Sequence, residues 1–361
     1  MIKKLVLRNF RGVEKGVLEF SPLTILLGPN NAGKSTVLEA LSLAPNPFRH
    51  VPYLRRSAFN SIAQIHETFK GGHTPLFLFG NYIPSKSFIF CEAEGGPLYL
   101  LLYRPEGDKF VSFYSYRSSQ PVDVQKLLQA QDIESYFSPI ASGEIGRLNI
   151  SPKEGGGGGP SDKNYLNREM LLIHPSFLRE AYDYLKGQWP QIANRRLGRN
   201  VAETLSQLVA ERYIDLLLEP FTEEGLSIYV YLEDGRRIRL GDLGEGAQTL
   251  AVTMLLRELS KPDVLLWDDI EAHMNPRMLS FIARWVLQLV EEGTQVVLST
   301  HSIEAVRTIA GLAEEVMEGT SQVLLLSLRE GELRSRALSL AEVEELWEAG
   351  VDVRMADDFL I

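Results

Sequence analysis

Residues 23–36 read Leu-Thr-Ile-Leu-Leu-Gly-Pro-Asn-Asn-Ala-Gly-Lys-Ser-Thr. Positions 28–35 fit G-x-x-x-x-G-K-[ST], the loop that cradles phosphates in nucleotide-binding proteins. The stretch before it is apolar and β-prone, which predicts a buried strand. Residues 34–43 have helical spacing. In such a loop the backbone N–H groups point inward, and the following helix adds the positive end of its dipole. Gly28 and Gly33 permit backbone conformations and close approach that a Cβ would hinder. Lys34 places an ammonium on the terminal phosphates, and Ser35 offers a hydroxyl to Mg²⁺, a hard ion that accepts few protein ligands. Asn30, Asn31 and Thr36 complete the expected nucleotide-binding set.

Working outward, composition bounds the remaining possibilities. The chain has 361 residues, enough for one large or two ordinary domains, and is 45% hydrophobic. No segment approaches the roughly 18 continuous apolar residues of a membrane span. Residues 1–7 are too short an apolar run for a signal peptide, and Arg8, Asn9 and Arg11 follow at once. The lone Cys91 excludes an internal disulfide and a multi-cysteine metal site, and fits a reducing cytoplasm. A net charge of -10 argues against a surface coated with phosphate-binding groups. It leaves room for a local basic patch.

Residues 2–10 and 13–20 read as two strands joined at Arg11-Gly12. The run Asn9-Phe10-Arg11, a hairpin, and then the loop at 28–35 resemble the N-terminus of ABC-type ATPases of the RecF, SMC and OLD group. Asn31 stands where that group most often has Gly. The resemblance implies an α/β P-loop NTPase fold, an ABC-type head with an antiparallel β side sheet and a helical insertion. Residues 86–117 fit the side sheet: β-rich runs at 87–90, 98–103 and 110–116 are separated by Gly95-Gly96-Pro97 and Pro105-Glu106-Gly107-Asp108.

Residues 45–75 read as loop plus a short helix near 61–69. The glycine run 155–159, closed by Pro160, predicts a mobile linker or loop. Residues 161–220 look helical, with an amphipathic run over 201–218, and no sustained heptad encodes a long coiled coil. The expected organisation is an N-terminal ATPase lobe at 1–117, a mainly helical insertion at 118–220 and a C-terminal ATPase lobe at 221–361. Residues 226–232 and 236–240 form a hairpin about Asp234-Gly235.

Leu243-Gly244-Glu245-Gly246-Ala247-Gln248 opens an apolar helix. It resembles the ABC signature motif, most closely the G-x-G-x-Q form of OLD-like proteins; an ordinary glycine turn is the plain alternative. The resemblance implies that Gly244 and Gly246 cap the nucleotide of a second subunit. Gly244 stands where many relatives carry Ser, so one hydroxyl contact is missing. Residues 264–269 form a buried strand ending in Asp268-Asp269, the Walker B arrangement, with Asp268 toward Mg²⁺. Asp269 replaces the usual catalytic Glu and is one methylene shorter. It reaches its water by backbone adjustment, acts slowly, or leaves the role to Glu271.

Glu271-Ala272-His273-Met274-Asn275-Pro276 resembles the group's E-x-H-x-x-P. His273 is read as an interface or structural residue rather than a metal ligand, and Asn275 as a helix cap. Residues 295–302 end in Thr300-His301-Ser302 and resemble the switch-histidine segment, with His301 at the γ-phosphate. Gln64 and Gln120 are the candidates for the Q-loop glutamine. Beyond them, 323–328 and 333–337 form a hairpin, and Ser339 with Glu342 forms a capping box. The stretch after His301 is shorter than a TOPRIM domain. Asp352, Asp357 and Asp358 read as a solvated acidic tail.

Together these features predict an ATP- and Mg²⁺-dependent ATPase that forms a homodimer on ATP, with no membrane association. The relatives' roles point to DNA repair, DNA maintenance or anti-phage defence. Arg195, Arg196 and Arg199, with Arg236, Arg237 and Arg239, are the candidate DNA-facing cluster; solvated helix and hairpin faces are the plain alternative. Two further readings stay open: a non-hydrolysing ATP-gated scaffold, and an ATPase that regulates a separate effector protein.

Overall fold

The strand that precedes the glycine loop runs through the middle of a mixed sheet, and its position decides what meets the loop. The computed structural model describes residues 1–66, 75–80, 83, 85–94, 98–106, 110–118, 123–129, 143–149, 169–208, 211–222, 225–316, 319–355 and 361. In chain order the first half contains β1 (Ile2–Phe10), β2 (Val13–Glu19), β3 (Leu23–Leu27), α1 (Lys34–Leu43), β4 (His50–Val51), β5 (Arg56–Ser57), α2 (Ala58–Ile65), β6 (Ser87–Ala93), β7 (Leu98–Glu106), β8 (Phe110–Ser118), α3 (Val124–Gln129) and β9 (Gly143–Asn149). Then come β10 (Met170–Ile173), α4 (Leu178–Gly187), α5 (Trp189–Asn194), α6 (Leu197–Leu205), β11 (Tyr213–Thr222), β12 (Gly225–Leu232), β13 (Arg237–Arg239) and α7 (Glu245–Ser260). The chain closes with β14 (Val264–Trp267), α8 (Pro276–Glu291), β15 (Gln295–Thr300), α9 (Ile303–Val316), β16 (Ser321–Arg329), β17 (Glu332–Leu338) and α10 (Leu340–Glu348).

The main sheet has the order β10-β14-β15-β3-β16-β17-β2-β1-β6-β7-β8-β9. From β10 to β16 every neighbouring pair is parallel. Strands covered on both faces lose the polar alternation, and β3, β14 and β15 are buried at every position. Parallel register also lines up their carboxyl ends. Thr300 lies opposite Leu27, Leu298 opposite Trp267, and Trp267 opposite Ile173. The residues that follow these ends gather on one edge, where open α/β sheets place ligands.

The expected meander β6-β7-β8 is present, extended by β9. It is continuous with the nucleotide half rather than a separate layer. The junction is the short parallel pairing of β17 with β2, where Leu333 meets Gly16. A Cβ on Gly16 would lie 2.9 Å from the Leu333 Cβ, so glycine lets the two halves close.

The helical reading of 161–220 needs correction: residues 170–173 form β10 of the main sheet, beside β14. The run 201–218 is not one helix either: α6 ends at Leu205 and residues 213–222 pair with β12 as an antiparallel strand. Tertiary pairing overrides the helical preference of Leu216, Leu217 and Leu218. The α6 backbone packs against that strand at Gly198, where a Cβ would meet the Leu216 carbonyl at 2.5 Å. The short helix near 61–69 starts earlier, at Ala58, because the Ser57 side chain accepts the Asn60 N–H and caps it. The β12–β13 and β16–β17 hairpins, the Asn275 cap and the Ser339–Glu342 capping box stand as expected. Gln120, the glycine run with Pro160, Gly95-Gly96-Pro97, Asp357 and Asp358 lie outside the described residues.

Candidate functional site

The glycine loop is fixed by its neighbours. A Cβ on Gly28 would sit 2.7 Å from the Leu326 carbonyl of β16, so only glycine passes there. Gly33 takes φ +93° at the N-cap of α1, and Asn31 takes φ +64°. Asparagine is among the few side chains that tolerate this left-handed region, which accounts for its standing where glycine is usual. The Lys34 ammonium donates to the carbonyls of Gly28 and Pro29, both at 2.9 Å. Its Nζ is also 3.3 Å from His301 Nδ1. Burial pulls the Lys34 ammonium below the ordinary lysine range, against the opposing pull of Asp269, Asp268 and Glu271.

The ends of β14 and β15 bring the remaining groups to this loop. Ser35 Oγ lies 3.3 Å from Asp268 Oδ1. The same Asp268 oxygen accepts a hydrogen bond from Ser299, whose Oγ accepts the Asp269 N–H at 2.9 Å. Ser299 is fully buried within β15 and thus holds the Asp268 carboxylate and the Asp269 backbone at once. Asp269 itself adopts φ +49°. Burial, and then the neighbouring Asp268, hold its carboxyl above the usual carboxylate range. His301 Nε2 lies 3.6 Å from Asp269 Oδ1, so the imidazole stands between Lys34 and Asp269.

Glu271 is arranged differently. One carboxylate oxygen accepts the His301 backbone N–H at 2.5 Å, while the other is buried with no hydrogen-bond partner. Arg354 donates to the His301 carbonyl at 2.6 Å and is itself gripped by Asp352. Asp352 is therefore a clamp on the switch segment, not part of a solvated tail: its carboxylate is held low by the Arg354 guanidinium.

Three of these participants were not legible as site residues. Ser299 looked like part of a buried strand, and Arg354 is remote in sequence. The third is His174, which follows β10 and places Nε2 3.9 Å from Asp268 Oδ2. Gln64, by contrast, is taken up by Arg56 and Glu180. Asn30 and Asn31 are exposed on the loop, and Thr36 is buried in the first turn of α1.

The glycine turn at Gly244 precedes α7, and Gln248 folds it by donating to the carbonyls of Gly241 and Leu243 at 3.2 and 2.7 Å. Gly246 packs on the segment after Walker B: a Cβ there would meet the His273 carbonyl at 2.6 Å. His273 Nδ1 contacts Glu245 at 2.6 Å, and both side chains are more than half exposed. Around Gly244 a Cβ would meet nothing. The fold therefore demands glycine at 246 but not at 244.

These residues fit a magnesium–nucleotide. A hydroxyl and a carboxylate 3.3 Å apart are hard oxygen donors, and they leave most of a Mg²⁺ shell to phosphates and water. The adjoining loop is built around glycines with a lysine at its end. Asp268 and Asp269 also border a cavity of about 430 Å³, bounded further by His174, Thr253, Trp267 and His273.

Of the six candidate DNA-facing arginines, five pair with acids. Arg199 pairs with Glu203, Arg236 with Asp234, Arg237 with Glu219 and Arg239 with Asp242; Arg195 lies 4.0 Å from Glu258. Much of their charge is locally balanced. Among the described residues, no helix is long and apolar enough to cross a membrane.

Residues 23–307 match the family model described as "AAA domain, putative AbiEii toxin, Type IV TA system". The chain is 49% identical over 43 residues to an OLD nuclease of Thermus scotoductus, covering 12% of this chain and 8% of that protein. It is 32% identical over 163 residues to the DNA double-strand break repair Rad50 ATPase of Methanopyrus kandleri, covering 43% and 17%. The chain thus spans only a small part of these relatives' lengths. Among solved structures, an SMC head bound to the C-terminal winged-helix domain of ScpA superposes with a TM-score of 0.57 at 15% identity, covering 95% of this chain and 99% of that one. That likeness is one of fold. By the extent of the family match and the order of its motifs, this chain belongs to that AAA-domain family, among the ABC-type P-loop ATPases of the RecF, SMC and OLD group.

Proposed function

We propose that this chain binds ATP with Mg²⁺, hydrolyses it to ADP and phosphate, and forms a head-to-head homodimer when loaded. One observation carries the reading: Lys34 and Ser35 from the glycine loop meet Asp268, Asp269 and His301 from distant strand ends in one cluster, with Lys34 and Asp268 buried and the others open to solvent.

In this reading the loop N–H groups and Lys34 bind the β- and γ-phosphates. Ser35 and Asp268 hold the metal, with Ser299 fixing Asp268. Held there, Mg²⁺ would supply positive charge against the negative charge that develops in transfer. Asp269 accepts the proton of the attacking water. His301 hydrogen-bonds the γ-phosphate and reports its presence to Glu271 and Arg354 through its own backbone. Catalysis is mainly positioning and electrostatics. Gly244 and Gly246, at the N-terminus of α7, cap the nucleotide of the second subunit.

In this proposal the cycle serves DNA repair, DNA maintenance or anti-phage defence in the cytoplasm, with DNA or a separate effector protein as partner. The DNA-related relatives support this. The ion pairs on the 195–199 and 236–239 faces balance much of their charge and weigh against these faces as the DNA contact.

Asp269 supports a second reading. It is shorter than the usual glutamate, and a chain that holds ATP without turnover would act as an ATP-gated scaffold. The test is phosphate release per chain against protein concentration, with Lys34→Ala as blank. Specific activity that rises with concentration supports the composite ATPase. ATP-induced dimerisation with no release above the blank selects the scaffold.

A further inference from the structure

We infer that His174 positions the attacking water, opposite Asp269; the inference rests on the ATP-hydrolysing reading above. β10 and β14 are parallel, with Ile173 opposite Trp267. His174 and Asp268 therefore leave their strands side by side. The Asp268 N–H donates to the Ile173 carbonyl at 3.0 Å, which ties the two strand ends together one step past the paired residues.

The imidazole is oriented on both sides. Its Nδ1 accepts the Ser176 backbone N–H at 3.1 Å, so the ring's proton sits on Nε2. The Phe177 ring stands 5.4 Å away, centroid to centroid. Nε2 then faces Asp268 Oδ2 across 3.9 Å, too far for a direct hydrogen bond. A polar gap of that span is where a bridging water is sought. The gap opens on the cavity that Asp268 and Asp269 also bound.

A water poised for in-line attack needs two holds. Asp269 takes one of its protons. An N–H donor on a second side occupies one lone pair and aims the other at phosphorus. His174 is that donor, and it offsets the shorter reach of Asp269. As the water oxygen bonds to the γ-phosphorus, the bond to the bridging oxygen of ADP breaks. The proton passes to Asp269 and then to the phosphate product, while His174 keeps its own.

His174 also caps the short 3₁₀ turn Pro175–Phe177, so a purely structural role must be separated. His174→Asn preserves the cap, since an asparagine oxygen accepts the same N–H, but withdraws the Nε2 donor. His174→Gln extends an amide N–H to about the Nε2 position. Four quantities are measured for each: melting temperature, ATP binding, steady-state hydrolysis, and trapping of ADP–aluminium fluoride, a mimic of the transferring phosphoryl. For His174→Asn the expected result is unchanged melting and ATP binding, hydrolysis down about 100-fold, and trapping lost. His174→Gln keeps hydrolysis within about tenfold of wild type and still traps. Wild-type hydrolysis in His174→Asn overturns the inference and leaves the ATPase reading standing. So does a parallel loss of ATP binding and melting temperature in both variants. A wild-type chain no more active than Lys34→Ala overturns both.

Discussion

Ser299 Oγ stands between the Asp268 carboxylate and the Asp269 backbone: it donates to Asp268 Oδ1 and receives the Asp269 N–H at 2.9 Å. One hydroxyl from β15 thereby sets the register of both acids at the end of β14. Outer partners of metal-holding groups matter nearly as much as the groups themselves.

Ser299→Ala should therefore weaken the metal step without removing any direct contact to nucleotide. We expect the Mg²⁺ concentration for half-maximal ATP hydrolysis to rise about 10-fold or more. A magnesium titration at saturating ATP reads this directly, and an unchanged midpoint would show that Asp268 holds its place unaided.

The two signature glycines should separate on substitution. Gly246→Ala forces a Cβ against the His273 carbonyl and should lower stability by about 1–3 kcal/mol. Gly244→Ser meets open space, so melting should not change. Because that hydroxyl points from the N-terminus of α7, it should strengthen ATP-induced dimerisation, measured by light scattering with a non-hydrolysable analogue. Dimerisation that is indifferent to Gly244→Ser would place the composite contact elsewhere.

Arg354 ties the segment after α10 to His301. Arg354→Ala releases the His301 carbonyl and leaves Asp352 without its guanidinium. Hydrolysis should fall about 10-fold while ATP affinity stays near wild type, since the arginine touches His301 and not the phosphate loop. Equal losses in binding and turnover would instead point to collapse of the C-terminal segment.

Cys91 is fully buried in β6, and burial pushes its thiol up to about 12. The thiolate is the reactive form, so its population is negligible below that value and grows only as pH approaches it. The native chain should resist iodoacetamide at pH 8 and be alkylated once unfolded in urea. Mass spectrometry counts the label, and stoichiometric modification under native conditions at pH 8 would contradict the burial.

The phosphate loop, the paired Asp268 and Asp269, the His301 segment and the caps at Asn275 and Ser339 were readable in the sequence alone. Each is a local arrangement, and its chemistry is written in adjacent residues. The hairpins were equally legible, because their turns carry the signal. Only the tertiary structure decided the rest. The 213–222 segment became a strand because β12 offered it hydrogen bonds, which no local preference encodes. His174, Ser299 and Arg354 joined the site for a similar reason. Parallel register sets His174 beside Asp268 and Ser299 beneath both acids, while a bond to the His301 carbonyl brings in Arg354. Sequence determined which groups could do the chemistry; strand order determined which of them stand close enough to do it.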